Sequence, residues 1–111
     1  MLVVDDNVDA AEMLAELLRA SGYTTSIAHD GPVALELARS FRPDIALVDI
    51  GLPVMDGYEV ARRLRDMLNG ARLIAVTGYG QQGDRDRSLA AGFDAHLVKP
   101  VSLDVLQAAL E

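Results

Sequence analysis

The chain has no cysteine. That excludes disulfides, thiolate metal sites and thiol nucleophiles, and it fits a reducing compartment. Basic residues are scarce: 10 Lys and Arg stand against 17 Asp and Glu, for a net charge of -7. Phosphate contact along a nucleic acid wants a basic patch, so this balance argues against a nucleic-acid surface. Long apolar runs are missing too. No stretch approaches the roughly 20 residues needed to cross a bilayer, and the opening residues read as a strand rather than a signal peptide. There is no internal linker, repeat or low-complexity tract. What remains is 111 residues, half of them apolar, enough for one globular domain over residues 1–111 with a real core.

Strand-like and helix-like stretches alternate five times. Leu2–Val4 reads as a short buried strand, closed by Asp5-Asp6-Asn7, whose oxygens can cap the next helix. That helix covers Val8 to Ala20, with Val8, Ala11, Leu14, Leu17 and Leu18 as its apolar stripe and Ser21-Gly22 as its stop. Tyr23 to Ala28 reads as an edge strand. A second helix starts at Asp30-Gly31-Pro32 and runs through Ser40, with Ala34, Leu37, Ala38 and Phe41 on one face. Ile45 to Val48 is the central strand, and a loop follows to Asp56. A third helix covers Gly57 to Leu68. Arg72 to Val76 is the fourth strand, followed by a glycine-rich segment, Thr77 to Gly83, and a polar helix, Asp84 to Ala91. Phe93 to Val98 is the fifth strand, and Ser102 caps a last helix carrying Leu103, Leu106 and Leu110. Short strands that are apolar on both faces, alternating with helices, call for a doubly wound parallel sheet covered on both sides. In such sheets ligands bind beyond the carboxyl ends of the strands.

The polar residues at those ends are Asp5, Asp6, Asp49, Thr77 and Lys99. An aspartate closing so apolar a strand as Ile45–Val48 is costly unless it faces a crevice. Three acids in one crevice need a counter-charge, and a hard divalent cation with oxygen ligands, magnesium, suits them. Asp6 and Asp49 are the expected direct ligands, with Asp5 behind them. A backbone carbonyl after Asp49, that of Gly51, could complete the set. Lys99 offers a point charge for a phosphate oxygen, and Thr77 a hydroxyl donor. Singly, Asp5-Asp6-Asn7 could be a helix cap, Thr77-Gly78 a turn and Lys99 a solvated charge. His96 lacks a second histidine at ligand spacing and reads as a strand residue. Together the strand ends describe phosphoryl transfer onto a carboxylate.

Val3-Val4-Asp5-Asp6-Asn7, Leu47-Val48-Asp49-Ile50-Gly51-Leu52-Pro53 with Met55-Asp56-Gly57, Val76-Thr77-Gly78 and Val98-Lys99-Pro100 make the chain similar to the receiver domains of bacterial two-component response regulators, along essentially its whole length. The resemblance implies a flavodoxin-like (βα)5 fold with strand order 2-1-3-4-5. It also implies a cytoplasmic phosphorelay role, not enzymatic in the isolated domain. Asp49 is then the phosphoacceptor, Asp5 and Asp6 hold Mg2+ with it, and Thr77 and Lys99 contact the phosphoryl group. The donor is a histidine kinase or a histidine phosphotransfer domain, with a weak homodimer a further expectation. Thr77 and His96 are the switch pair. They act on the face formed by the fourth helix, fifth strand and fifth helix, and the bond before Pro100 is expected to be cis.

The chain departs from the family pattern at His96, where Tyr or Phe is usual, at Gly51 and at Tyr79. The wording around Asp49 and the Thr77–Gly80 segment resembles receiver modules of hybrid sensor kinases. A start inside the first strand and an end inside the last helix fit an excised module of that kind. The alternatives are a stand-alone or output-linked regulator and a degenerate receiver serving only as an interaction module, though no acid or lysine is missing. An aspartyl-phosphate phosphatase would want a second acid where Gly51 stands. A flavodoxin-like cofactor carrier would want a phosphate-cradling loop where Asp5-Asp6-Asn7 stands.

Overall fold

The structure, a computed structural model, describes residues 1–52, 54–77, 90–99 and 101–110. The expected polar helix, apart from Ala90 and Ala91, lies outside the described residues, as do Tyr79 and Pro100. Five strands, β1 (Leu2–Val4), β2 (Ser26–Ala28), β3 (Ile45–Asp49), β4 (Arg72–Thr77) and β5 (Ala95–Val98), form one sheet in the order β2-β1-β3-β4-β5. Every pairing is parallel. The described helices are α1 (Val8–Ala20), α2 (Gly31–Phe41), α3 (Gly57–Met67) and the C-terminal α4 (Leu103–Leu110). Strand order and pairing are those that the alternation and the resemblance imply.

Two apolar layers flank the sheet. On one face Leu2, Val4, Val48 and Leu73 meet Ala34 and Ala38 of α2 and Val60 and Leu64 of α3. On the other Val3, Leu47, Ile74 and Leu97 meet Leu14 and Leu18 of α1 and Leu106 of α4. Successive residues of β1 and β3 thus feed opposite layers, which is why these strands are apolar throughout. The close packing of α2 on α3 needs Gly31, where a Cβ would come within 2.9 Å of Val60 Cγ2.

The edge strand is shorter than Tyr23–Ala28. Tyr23 N–H donates to Leu18 O (3.0 Å) and Gly22 N–H to Arg19 O (3.0 Å), with Gly22 at φ 95°. Tyr23 therefore belongs to the hydrogen-bonded close of α1, and the ladder cannot begin there. At β5 the ladder opens with Asp94 N–H donating to Leu73 O (2.7 Å), while Phe93 is spent in the core against Tyr58, ring edge to face at 6.4 Å. Three residues of the expected stripes are exposed, Val8 at 55%, Phe41 at 39% and Leu103 at 39%. They are the first residue of α1, the last of α2 and the first of α4, all at helix ends.

Candidate functional site

Asn7 caps α1 by accepting from Ala10 N–H, so the chain leaves β1 through Asp5 and Asp6 with a fixed turn. The Asp5 carboxylate is buried and accepts from Asn7 N–H (3.0 Å), and Asp6 is exposed. Asp49 ends β3, 6% exposed, and accepts from Gly51 N–H at Oδ1 (2.9 Å). Thr77 ends β4 and is buried. Lys99 follows β5, its backbone N–H held by Thr77 O (2.7 Å).

These ends converge. Lys99 Nζ lies 2.5 Å from Asp5 Oδ2 and 3.4 Å from Asp49 Oδ2. Asp5, Asp6 and Asp49 each place an oxygen within 4.8 Å of the others. Burial pushes the Asp49 carboxyl above the ordinary carboxylate range. The charge of Asp5 adds to that, while Gly51 N–H and Lys99 pull it back. Burial also works against the Lys99 ammonium, but Asp5 and Asp49 outweigh it and hold its pKa above the ordinary lysine range. The pocket thus favours a positive charge next to these acids.

An all-oxygen, acidic donor set suits a hard cation. Asp5, Asp6 and Asp49 are the residues that would hold such an ion, which would neutralise their charge. The donor chemistry fits Mg2+.

The Thr77 hydroxyl lies 3.4 Å from both His96 Nε2 and Leu97 O. The half-buried imidazole is on the site side of β5, beside the hydroxyl with which the resemblance pairs it. An open, mostly apolar groove of about 340 Å³ leads from Asp5 and Lys99 along Ala10, Met13 and Leu14 of α1. Three structural roles, two beside the site and that of Arg65 at the opposite edge of the sheet, are not assigned by the sequence. Gly57 packs under β3 so closely that a Cβ would lie 2.5 Å from Asp49 O and 2.4 Å from Ile50 Cα. Arg65 ties α3 to the turn before β5. His29, at the end of β2, donates from Nδ1 to Asp5 O (3.0 Å). Only its strand-end position, the criterion that found the other residues, could have drawn attention to His29.

A doubly wound parallel sheet with an aspartate, a lysine and a hard-cation acid cluster at its carboxyl edge defines a class of small α/β proteins built around a reactive carboxylate. Within that class, residues 1–111 match the response regulator receiver domain, and the chain belongs to that family. It is 39% identical over 105 residues to the polar-differentiation response regulator DivK of Brucella anthropi, covering 93% of this chain and 85% of that one. The receiver domain of a sensor histidine kinase from Pseudomonas aeruginosa, solved with a magnesium ion coordinated in its active-site cleft, superposes with a TM-score of 0.86. It is 38% identical, over 98% of this chain and 91% of that one. A response regulator from Burkholderia pseudomallei, solved with a phosphorylated aspartic acid and a calcium ion, gives a TM-score of 0.91 at 31% identity, over 99% of this chain and 65% of that one. Receiver domains are the phosphoacceptor parts of two-component systems.

Proposed function

We propose that this chain accepts a phosphoryl group on Asp49 from the phosphohistidine of a kinase or phosphotransfer protein, in a reaction that requires Mg2+ held by Asp6 and Asp49, with Asp5 behind them and the Gly51 carbonyl beside them. The observation that carries this reading is the single cluster formed by Asp49, Asp5, Asp6 and Lys99 at one edge of the sheet. When bound, the cation supplies neutralisation of the acids and of the incoming phosphoryl oxygens. A carboxylate oxygen of Asp49 attacks phosphorus as the bond to the donor imidazole breaks. Gly51 N–H fixes the carboxylate from behind, Lys99 pairs with a phosphoryl oxygen, and Thr77 donates its hydroxyl to another. The groove along α1 gives a protein donor an apolar surface beside that carboxylate.

The likeness to a kinase receiver supports a module of a hybrid sensor kinase. The likeness to DivK supports a stand-alone regulator, and the chemistry at Asp49 is the same in both. The output is a shift of Thr77 and His96 that changes the face which the resemblance assigns to β5, the C-terminal helix and the expected helix between β4 and β5. Incubation with acetyl phosphate and Mg2+, read by intact mass, should add one phosphoryl group at a base-labile linkage, and Asp49→Asn should add none while keeping the fold. Labelling of the variant at the parent's rate would remove Asp49 from the role. Equal labelling in EDTA would remove the metal.

A further inference from the structure

β1 and β2 pair in parallel with Val4 opposite Ala28, and the bonds between them alternate along the ladder. Ser26 N–H donates to Met1 O (2.9 Å) and Asp5 N–H donates to Ala28 O (3.0 Å). Two residues on per step, the next rung would take the backbone N–H of Asp30 to Asp5 O. But Asp30 has another task. Its backbone is extended (φ -153°, ψ 170°), and its side chain accepts from Val33 N–H (2.8 Å) to cap α2. Asp5 O accepts from the His29 ring instead, at 3.0 Å. A carbonyl oxygen only accepts, so Nδ1 carries the proton in this contact, in the neutral ring as in the charged one.

The carbonyl so held is that of the peptide joining Asp5 to Asp6. Its two ends are otherwise unevenly anchored: the Asp5 side chain is buried and tied to Asn7 N–H and Lys99, while Asp6 is exposed. Fixing the Asp5 carbonyl fixes the peptide plane, and with it the direction in which Asp6 leaves the strand.

We propose that His29 is a positioning residue for the cation site, its imidazole N–H replacing the last rung of the β1–β2 ladder and orienting the Asp5–Asp6 peptide so that Asp6 faces Asp49. It touches neither metal nor phosphoryl group. The proposal rests on the reading of Asp5, Asp6 and Asp49 as the metal site. Its ligand is Mg2+ alone, and no phosphodonor is needed to test it.

Mg2+ titrations followed by the amide signals of Asp6 and Asn7, with thermal melts in EDTA, separate positioning from stability. His29→Ala should weaken Mg2+ by about threefold to tenfold, the range that one net hydrogen bond spans. It should also speed amide exchange at Asp6, with a melting point close to the parent's because the ring is exposed. His29→Asn, which keeps an N–H donor on a shorter side chain, should recover part of that loss. Mg2+ affinity of His29→Ala within a factor of two of the parent's would overturn the proposal. So would nitrogen shifts of the parent's neutral ring showing the proton on Nε2, a result that depends on no variant folding. Asp6→Ala is the control: if it too leaves Mg2+ binding unchanged, the metal site itself has been misread. If Asp6→Ala weakens binding and His29→Ala does not, only the role of His29 falls.

Discussion

Gly57 stands where β3 and the next helix nearly touch. Its N–H donates to Ile50 O (3.2 Å), and Asp56 before it caps α3 by accepting from Glu59 N–H. The intervening loop turns at Val54 with φ 67°, unusual for a β-branched residue, and that side chain is 98% exposed. Packing of Val54 therefore does not repay the strain; what the turn achieves is to bring Gly57 beneath Asp49. A methyl at Gly57 would sit 2.4 Å from Ile50 Cα and 2.5 Å from Asp49 O, both backbone atoms that no rotamer change can move. Gly57→Ala should cost about 1–3 kcal/mol, the usual range for overpacking, despite the better helix propensity of alanine. It should also slow phosphorylation of Asp49 by acetyl phosphate more than an unfolded fraction accounts for, because the carboxylate's own peptide must shift. Denaturant midpoints beside labelling rates check this, and a variant as stable and as fast as the parent would show that the strand yields freely.

The elements were largely legible because each carries its own local signal. β1, β3 and β4 are mostly apolar runs, the caps at Asn7, Asp30 and Asp56 are short polar residues before apolar periods, and Asp5, Asp6, Asp49, Thr77 and Lys99 end or follow strands. Tyr23 was misread as strand because a β-prone aromatic says nothing about the bond its N–H makes to Leu18. The ties between distant elements left no trace at all. Arg65 of α3 donates to Ala71 O (2.7 Å), Gly92 O and the Asp94 carboxylate (2.8 Å), which also accepts from Leu73 N–H (2.9 Å). One guanidinium thereby joins α3, the start of β4 and the entry to β5, from residues up to 29 positions away. Burial alone would raise the Asp94 carboxyl, but Leu73 N–H and Arg65 outweigh it and hold it below the ordinary range. A lowered native pKa means stability that is present above the unfolded value of about 3.9 and lost as pH falls through the native one. Asp94 is 41% exposed, so water screens much of the charge, and direction rather than size is the test. Asp94→Asn should be less stable than the parent at neutral pH, and the gap should shrink below about pH 4. A gap that does not change with pH would mean the carboxylate acts by shape alone.

At the scale of the whole molecule, the sheet gathers charges that the unfolded chain keeps apart. Lys99 and Asp5 are 94 positions apart in sequence and form the closest ion pair at the site. The proposed cation site therefore exists only in the native state, and Mg2+ bound there would stabilise that state by mass action, by about 2.7 kcal/mol at a hundred times its dissociation constant. Without the ion Asp49 is the disfavoured member of the cluster. Burial and the neighbouring Asp5 raise the native pKa of Asp49, so the folded protein holds that proton more tightly than the unfolded chain does. Stability is then highest below the unfolded value of about 3.9 and falls as pH rises through the native one. At neutral pH the ionised Asp49 costs stability, as functional groups often do. Asparagine removes the charge and keeps an oxygen for Gly51 N–H. In EDTA at neutral pH, Asp49→Asn should melt above the parent, and lowering the pH toward about 4 should close the difference. Adding Mg2+ should raise the parent by several degrees, at about 4–8 °C per kcal/mol for a domain near this size, and raise the variant much less. The order of the two proteins should therefore narrow or reverse with metal. A parent that melts higher than Asp49→Asn in EDTA at neutral pH would show that Lys99 more than offsets the burial of the carboxylate, and that the apo site stabilises the fold instead of straining it.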